Sequence, residues 1–222
     1  MYVVYGAVLV GMKITPQQEF WKGIFSKGYL ERNLFTSAEL DASYRTKFGI
    51  TRLAMNKEFL ESIPKDARIL EVGANFGAQL EMLKKMGFTN LYGVEINPTV
   101  ADFGRTRVRG VNLIEGNALD LPFKDGFFDL VFTSGVLIHI APKDRTTVVR
   151  EMYRCSKKYI WGFEYFSEES KEIVYRGNKD RLWKANFPGL FKKEFPKLRL
   201  VKQKLFRYKG EENEDVMYLF KK

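Results

Sequence analysis

The 222-residue sequence contains one cysteine, Cys155, and one histidine, His139. A lone thiol excludes an internal disulfide framework and any multi-cysteine metal centre, and it suits a reducing, cytoplasmic setting. A lone imidazole excludes a histidine-rich metal site, so no metal is expected. Long apolar runs are also missing. Residues 2–10 are apolar, but they fall far short of the roughly 20 residues that span a bilayer. No basic residue precedes them and no small-residue cleavage site follows, so neither a membrane span nor a signal peptide is expected. Met12, ahead of Lys13, reads as an alternative start that leaves residues 1–11 marginal to the fold. Low complexity is absent as well: 45% of residues are hydrophobic and 15% aromatic, with 19 Phe. That is enough apolar surface for one full core, and it excludes a disordered chain.

What the sequence has in excess is positive charge, and in one place. Lys and Arg number 37 against 27 Asp and Glu, a net charge of +10. Residues 171–209 carry 13 basic and 3 acidic side chains, which accounts for the whole excess.

The hydrophobic pattern divides the chain. Residues 16–62 read as helical, opening at Thr15-Pro16, with Gly28 stopping the first run and a longer one following Ser37. From Arg68 the texture changes to short apolar strands: RILEVG, LYGVE (91–95), VNLIEG (111–116), FDLVFTSG (128–135) and YIWGFEYF (159–166). Helical spacing lies between them, over about 80–86, 98–109 and 142–156. Strands alternating with helices of this length predict an α/β sheet wound through right-handed crossovers. LRLVKQKLF (198–206) and VMYLFK (216–221) read as a closing antiparallel pair. A single domain is expected, with an N-terminal helical cap (1–64), a core (65–166), a basic insert (167–197) and a final β-hairpin (198–222).

The chemistry-bearing residues gather at strand tips. Glu71-Val72-Gly73-Ala74-Asn75-Phe76-Gly77 ends the first strand, and its two glycines permit a tight turn where backbone can approach a ligand. A plain tight turn explains them equally well. Glu95, however, ends the second strand, where a carboxylate can accept from both hydroxyls of a ribose. The loop lacks the G-x-G-x-x-G spacing that wraps a pyrophosphate, and Glu71 would repel one. A ligand bearing a sulfonium and an amino group fits better, which selects S-adenosylmethionine over NAD. Asn117, Ala118 and Leu119 can meet an adenine edge and Ile96 its face. Thr133, Ser134 and Gly135 close over the methionine end.

As a set, E-x-G-x-x-x-G, the acid ending the second strand, N-A-L-D-L-P-F and F-D-L-V-F-T-S-G-V-L-I-H-I resemble the class I S-adenosylmethionine-dependent methyltransferases. Q-E-F-W-K-G-I-F (18–25), Y-L-E-R-N (29–33), Y-G-V-E-I-N (92–97), Y-R-C-S-K-K-Y-I (153–160) and Y-R-G-N-K-D-R-L (175–182) narrow this. They resemble the pseudaminic acid biosynthesis-associated methylases, from about Gln18 to the C-terminus. The resemblance implies a Rossmann-like methyltransferase fold: a seven-stranded, mostly parallel sheet with an antiparallel last strand and an N-terminal helical lid. Within methyl transfer it implies only a substrate neighbourhood, that of nonulosonic sugars; the activity expected is transfer to an oxygen or nitrogen of a small acidic acceptor.

Alignment of nucleophile, methyl and sulfur is the main demand of such a displacement, and a hydroxyl nucleophile benefits from a base. His139, just past the fourth strand, is one candidate base; a packing role for the loop before Pro142 is the alternative. Glu164 and Tyr165, at the fifth strand's tip, form a second candidate pair. Glu164 can also bind a substrate hydroxyl or pair with Arg176 or Arg181. Trp21 and Tyr29 are read as capping the cofactor, with Arg32 meeting its carboxylate. The basic insert has three readings: a solvated face, a nucleic-acid surface using Tyr175, Trp183, Phe187 and Phe191 for stacking, or a grip on an acidic small substrate. The last is favoured for Tyr175, Arg176 and Arg181, the first for Lys192 to Lys209. A monomer or homodimer is expected.

Overall fold

The computed structural model describes residues 14–222; the apolar 2–10 segment and the alternative start at Met12 lie outside the described residues. Four helices come first: α1 (Pro16–Lys22), α2 (Ile24–Arg32), α3 (Ser37–Phe48) and α4 (Arg52–Leu60). Thr15 and Thr36 each accept the backbone N–H three residues on, while Gln18 and Glu39 reach back to the cap N–H. These reciprocal bonds start α1 and α3 where they do. The first break differs from the sequence expectation. It falls at Gly23, whose extended backbone separates α1 from α2, and α2 runs through Gly28. The Arg32 guanidinium lies against Gly28 where a Cβ would sit, so this glycine makes room for a side chain.

The core then runs β1 (Arg68–Val72), α5 (Ala78–Lys85), β2 (Asn90–Glu95), α6 (Pro98–Arg107), β3 (Asn112–Glu115), β4 (Phe128–Ser134), α7 (Arg145–Cys155) and β5 (Ser156–Tyr165). A small hairpin, β6 (Lys171–Glu172) with β7 (Trp183–Lys184), precedes α8 (Phe187–Glu194), β8 (Arg199–Arg207) and β9 (Glu214–Lys221). The seven-stranded sheet has the order β3-β2-β1-β4-β5-β9-β8. β1 to β5 pair in parallel, and β9 runs antiparallel to both β5 and β8. The expected seven strands with the last one reversed are therefore present.

Alternate side chains on each strand feed two apolar layers. Leu70, Val131 and Ile160 meet Val148, Val149 and Met152 of α7 on one face. Ile69, Leu130, Phe132 and Trp161 meet Met55, Phe59 and Leu60 of α4 and Leu80 and Leu83 of α5 on the other. A sheet covered on both faces explains why its strands read as continuous apolar runs. The basic insert is structured rather than a loop. Phe187 and Phe191 of α8 are fully buried beside Tyr218 and Phe220 of β9, and Trp183 is buried with them. Three of the four aromatic residues read as base-stacking candidates thus point into the core. No helix among the described residues is long and apolar enough to cross a membrane.

Candidate active site

The carboxyl ends of β1 to β4 open into a cleft of about 390 Å³. Parallel strands place their ligand sites at this edge. β1 delivers Glu71, and the turn after it carries Gly73 at φ 74°, Asn75 at φ 50° and Gly77 at φ 88°. Left-handed backbone of this kind favours glycine, which accounts for the spacing of Gly73 and Gly77. The turn is tied to β2, since the Gly73 and Ala74 N–H groups donate to the Val94 carbonyl at 2.8 and 2.9 Å.

Glu95 is buried at the end of β2, and its Oε2 accepts the Asn75 N–H at 2.9 Å. Its Oε1 accepts the Asn97 N–H at 2.9 Å. Burial raises its pKa, and these backbone N–H groups oppose the rise. Glu71 is buried deeper, and its Oε2 has no hydrogen-bond partner among the described residues. Burial pushes its pKa well up; the Arg52 charge pulls it down and that of Glu95 pushes it up again. Asn97 caps α6 by accepting the Val100 N–H at 3.2 Å and donates through Nδ2 to the Trp21 and Lys22 carbonyls. α1 is thereby strapped across the cleft.

Most of the expected cofactor residues meet in this one space. Trp21, Tyr29, Glu71, Gly73, Asn75, Glu95, Ile96, Asn117, Ala118, Leu119, Ser134 and Gly135 all line it. The Asn117 Oδ1 accepts the Leu119 N–H at 2.9 Å, so its amide nitrogen is the group left for a ligand. Three expected residues lie outside the lining. Gly77 caps α5 behind the turn, Thr133 is buried within β4, and the Arg32 guanidinium sits 5.5 Å over the Phe25 ring. Gln17 and Gln79 line the cleft without having been expected, as amides in a helix carry no motif.

A second cavity of about 310 Å³ adjoins the cleft and shares Tyr29, Tyr44, Lys47, Ser134, Gly135 and His139 with it. Glu164, Tyr165, Tyr175, Arg176, Tyr208 and Asp215 complete its polar wall. The Glu164 carboxylate is almost fully buried and accepts the Val136 and Ile138 N–H groups at 3.1 and 3.4 Å. Burial lifts its pKa to about 7 against that hydrogen bonding. His139 Nδ1 lies 2.7 Å from the Arg181 carbonyl oxygen, which assigns the proton to Nδ1 and leaves Nε2 as the acceptor. Burial holds this imidazole neutral, with a pKa of about 4, between the rings of Trp21 and Tyr175. The Arg181 guanidinium stands 5.0 Å over Phe20 and lines neither space. Arg176 projects from the tip of the β6–β7 hairpin into the second cavity.

Residues 70–159 match the methyltransferase domain model. Over 72 residues the chain is 38% identical to a demethylmenaquinone methyltransferase of Geobacillus sp. (strain WCH70), covering 30% of each chain. It is 26% identical over 129 residues to a tRNA (carboxymethyluridine(34)-5-O)-methyltransferase of Xenopus tropicalis, covering 55% of this chain and 20% of that one. The chain thus spans less than a third of the length of either relative. Among solved structures, the Burkholderia thailandensis 1,6-didemethyltoxoflavin-N1-methyltransferase, crystallised with its acceptor and S-adenosylhomocysteine, has a TM-score of 0.69 at 13% identity. That match covers 96% of this chain and 93% of the other.

The chain carries a methyltransferase domain over residues 70–159. Its cleft fits the cofactor on its own chemistry. The Trp21 indole N–H and Glu71 Oε2, along with the Gln17 and Gln79 side-chain oxygens, are buried in the lining and have no partner among the described residues. S-adenosylmethionine offers a carboxylate to the indole and an ammonium to the Glu71 oxygen. Glu95 keeps lone pairs free of its two backbone bonds, which would suit the ribose hydroxyls.

Proposed function

We propose that the chain transfers the methyl group of S-adenosylmethionine to an oxygen or nitrogen of a small, acidic acceptor held in the second cavity, with a nonulosonic sugar acid or its precursor as the leading candidate. The observation that supports this most is the junction of the two spaces at Ser134, Gly135 and His139. A ligand filling each would meet the other there. About 310 Å³ lies at the small end of ligand cavities and suits one monosaccharide-sized acceptor.

The lining fits a polyhydroxylated acid. Tyr29, Tyr44, Tyr165, Tyr175 and Tyr208 offer ring faces to sugar C–H groups and hydroxyls to their oxygens, and Lys47 and Arg176 at the rim complement a carboxylate. The bound cofactor supplies an activated methyl on a sulfonium with a good leaving group. The protein's part is to align the acceptor and exclude water, which Trp21, Tyr29 and His139 do by walling the junction. An RNA-directed reading draws on the basic stretch and the tRNA-acting relative. It is weakened by the burial of Trp183, Phe187 and Phe191.

Calorimetry with S-adenosylmethionine, S-adenosylhomocysteine and NAD tests the cofactor. Micromolar affinity for the two sulfur compounds and none for NAD is expected. Labelled methyl transfer to N-acetylneuraminic acid, against bulk tRNA, tests the acceptor class; label in tRNA alone would overturn the small-acceptor reading. Binding without transfer to any acceptor would mark a non-catalytic, cofactor-sensing regulator.

A further inference from the structure

Resting on the methyl-transfer reading above, we propose that Asp215 is the base that takes the proton from an acceptor hydroxyl in the second cavity. Asp215 is the second residue of the reversed strand β9 and pairs with Tyr165 at the end of β5. The reversal matters: it brings the first residues of β9 to the edge where β4 and β5 end, so that Asp215 lines the same cavity as Ser134 and His139. The carboxylate lines the second cavity and is 6% exposed. Its hydrogen-bond partner is the Tyr208 hydroxyl, 3.1 and 3.3 Å from its two oxygens. A carboxylate has about four acceptor positions, so this single donor leaves most of them open.

The other candidate bases are held. Both Glu164 oxygens accept backbone N–H groups of the turn after β4, so that carboxylate positions the loop. His139 is fixed through Nδ1 on Arg181, and desolvation makes its free nitrogen the weaker base. The charged groups around Asp215 come from three elements, Lys47 of α3, Arg52 of α4 and Lys184 of β7; the Tyr208 hydroxyl just past β8 donates to it, and Tyr44 of α3 and Tyr165 of β5 face it as well. Burial outweighs them and lifts its pKa to about 6, so it is ionised at neutral pH and still a stronger base than an ordinary aspartate.

In the reaction a lone pair of the acceptor oxygen forms the bond to the methyl carbon. The carbon–sulfur bond breaks with its electrons staying on sulfur, and the hydroxyl proton passes to Asp215. It leaves to water at the cavity mouth beside Lys47, which restores the carboxylate.

The test uses the full chain with and without S-adenosylhomocysteine, comparing Asp215→Asn and Tyr208→Phe with the wild type. Asparagine keeps an oxygen for the Tyr208 hydroxyl and removes the proton acceptor. Carboxyl-carbon NMR follows Asp215, assigned as the signal that D215N lacks, and needs no acceptor. A midpoint near 6 that rises in Y208F, where a bond to the charged form is gone, supports the assignment. A midpoint near the ordinary aspartate value of about 4 overturns it. Transfer is then measured with N-acetylneuraminic acid and glucuronic acid as hydroxyl probes and ethanolamine as a probe offering an amine. A fall of about 100-fold in kcat for D215N, with acceptor KM within about threefold and the acid limb of the pH profile lost, is expected. An unchanged kcat, or transfer confined to the amine, overturns the proposal. Where no probe turns over, the titration decides. If the wild type fails to bind S-adenosylhomocysteine, the methyl-transfer reading falls by itself, whatever the titration shows.

Discussion

Glu95 grips Asn75 across the mouth of the cofactor cleft, Oε2 accepting the backbone N–H of the turn residue at 2.9 Å. One carboxylate therefore both shapes the glycine turn and faces the expected ribose position. Its second oxygen holds the Asn97 N–H at 2.9 Å, so an amide cannot replace it: Glu95→Gln turns one of these contacts into donor against donor. Glu95→Gln and Glu95→Ala should each weaken S-adenosylhomocysteine binding at least about tenfold, roughly one to two charge-assisted hydrogen bonds. Calorimetry decides, and unchanged affinity in either variant would remove Glu95 from the site.

Trp21 and Glu71 present unpartnered polar atoms to the cleft, and the proposed roles separate by ligand. Trp21→Phe keeps the ring packed between Tyr29 and His139 and removes the indole N–H. It should lower affinity for S-adenosylhomocysteine about tenfold while leaving 5′-methylthioadenosine, which lacks the amino-acid end, unaffected. Glu71→Gln should discriminate in the same direction. Equal losses for both ligands would show that the variants disturb the cleft rather than a carboxylate or ammonium contact.

His139 makes the fold's stability depend on pH in a definite sense. Its pKa falls from 6.5 to about 4 on folding because burial disfavours the imidazolium. The unfolded chain then binds a proton first as pH drops. The stability contributed by the neutral ring is complete above pH 6.5 and is lost as pH falls toward 4, by up to about 3 kcal/mol. His139→Phe forfeits the bond to the Arg181 carbonyl, about 1 kcal/mol, but escapes this penalty. In urea denaturation the variant should be slightly weaker than wild type at pH 7.5 and the stronger of the two at pH 4.5. Glu164 and Asp215, raised to about 7 and about 6, gain stability over the same descent in both proteins and largely cancel in the comparison. A constant difference across pH would show that the ring is not desolvated.

Short-range pattern carried most of the parallel sheet and cofactor cleft. Glu71, Gly73 and Glu95 were legible because a glycine turn between strand and helix leaves its mark within a few residues, and the structure brings them together with Asn117 and Ser134. The second cavity, the proposed acceptor site, was legible only in part. Asp215 and Tyr208 sit in a tail whose meaning depends on β9 reversing beside β5, a pairing with no local signal to name its neighbours. Arg181 looked like a substrate grip from its place in D-R-L, but cation–π packing on Phe20 turns it away. Trp183, Phe187 and Phe191 of the basic insert have helical spacing that serves a core just as well as a stacking surface, and the interior takes all three, while Tyr175 lines the second cavity. Gly23 and Gly28 were indistinguishable by residue type alone.

Arg52 gives the least expected stability prediction. In sequence it is one more basic residue following a helix cap, yet its side chain is fully buried. Nε donates to Asn56 Oδ1 at 2.9 Å, Nη1 to the Tyr44 hydroxyl at 3.2 Å and Nη2 to Ser134 Oγ at 3.2 Å, with the plane 4.3 Å from the Phe163 ring centroid. The guanidinium fork thus pins α3 and α4 to the tip of β4, where both cavities meet. Lys has the charge but cannot reach three acceptors in one plane, and Met has the length without the donors. Arg52→Lys should cost about 2 kcal/mol and Arg52→Met about 3 kcal/mol in urea denaturation. Because Ser134 loses its anchor, S-adenosylhomocysteine affinity should fall in both variants even under conditions where they are fully folded. A variant as stable as wild type would mean that the helices hold the cleft without this side chain.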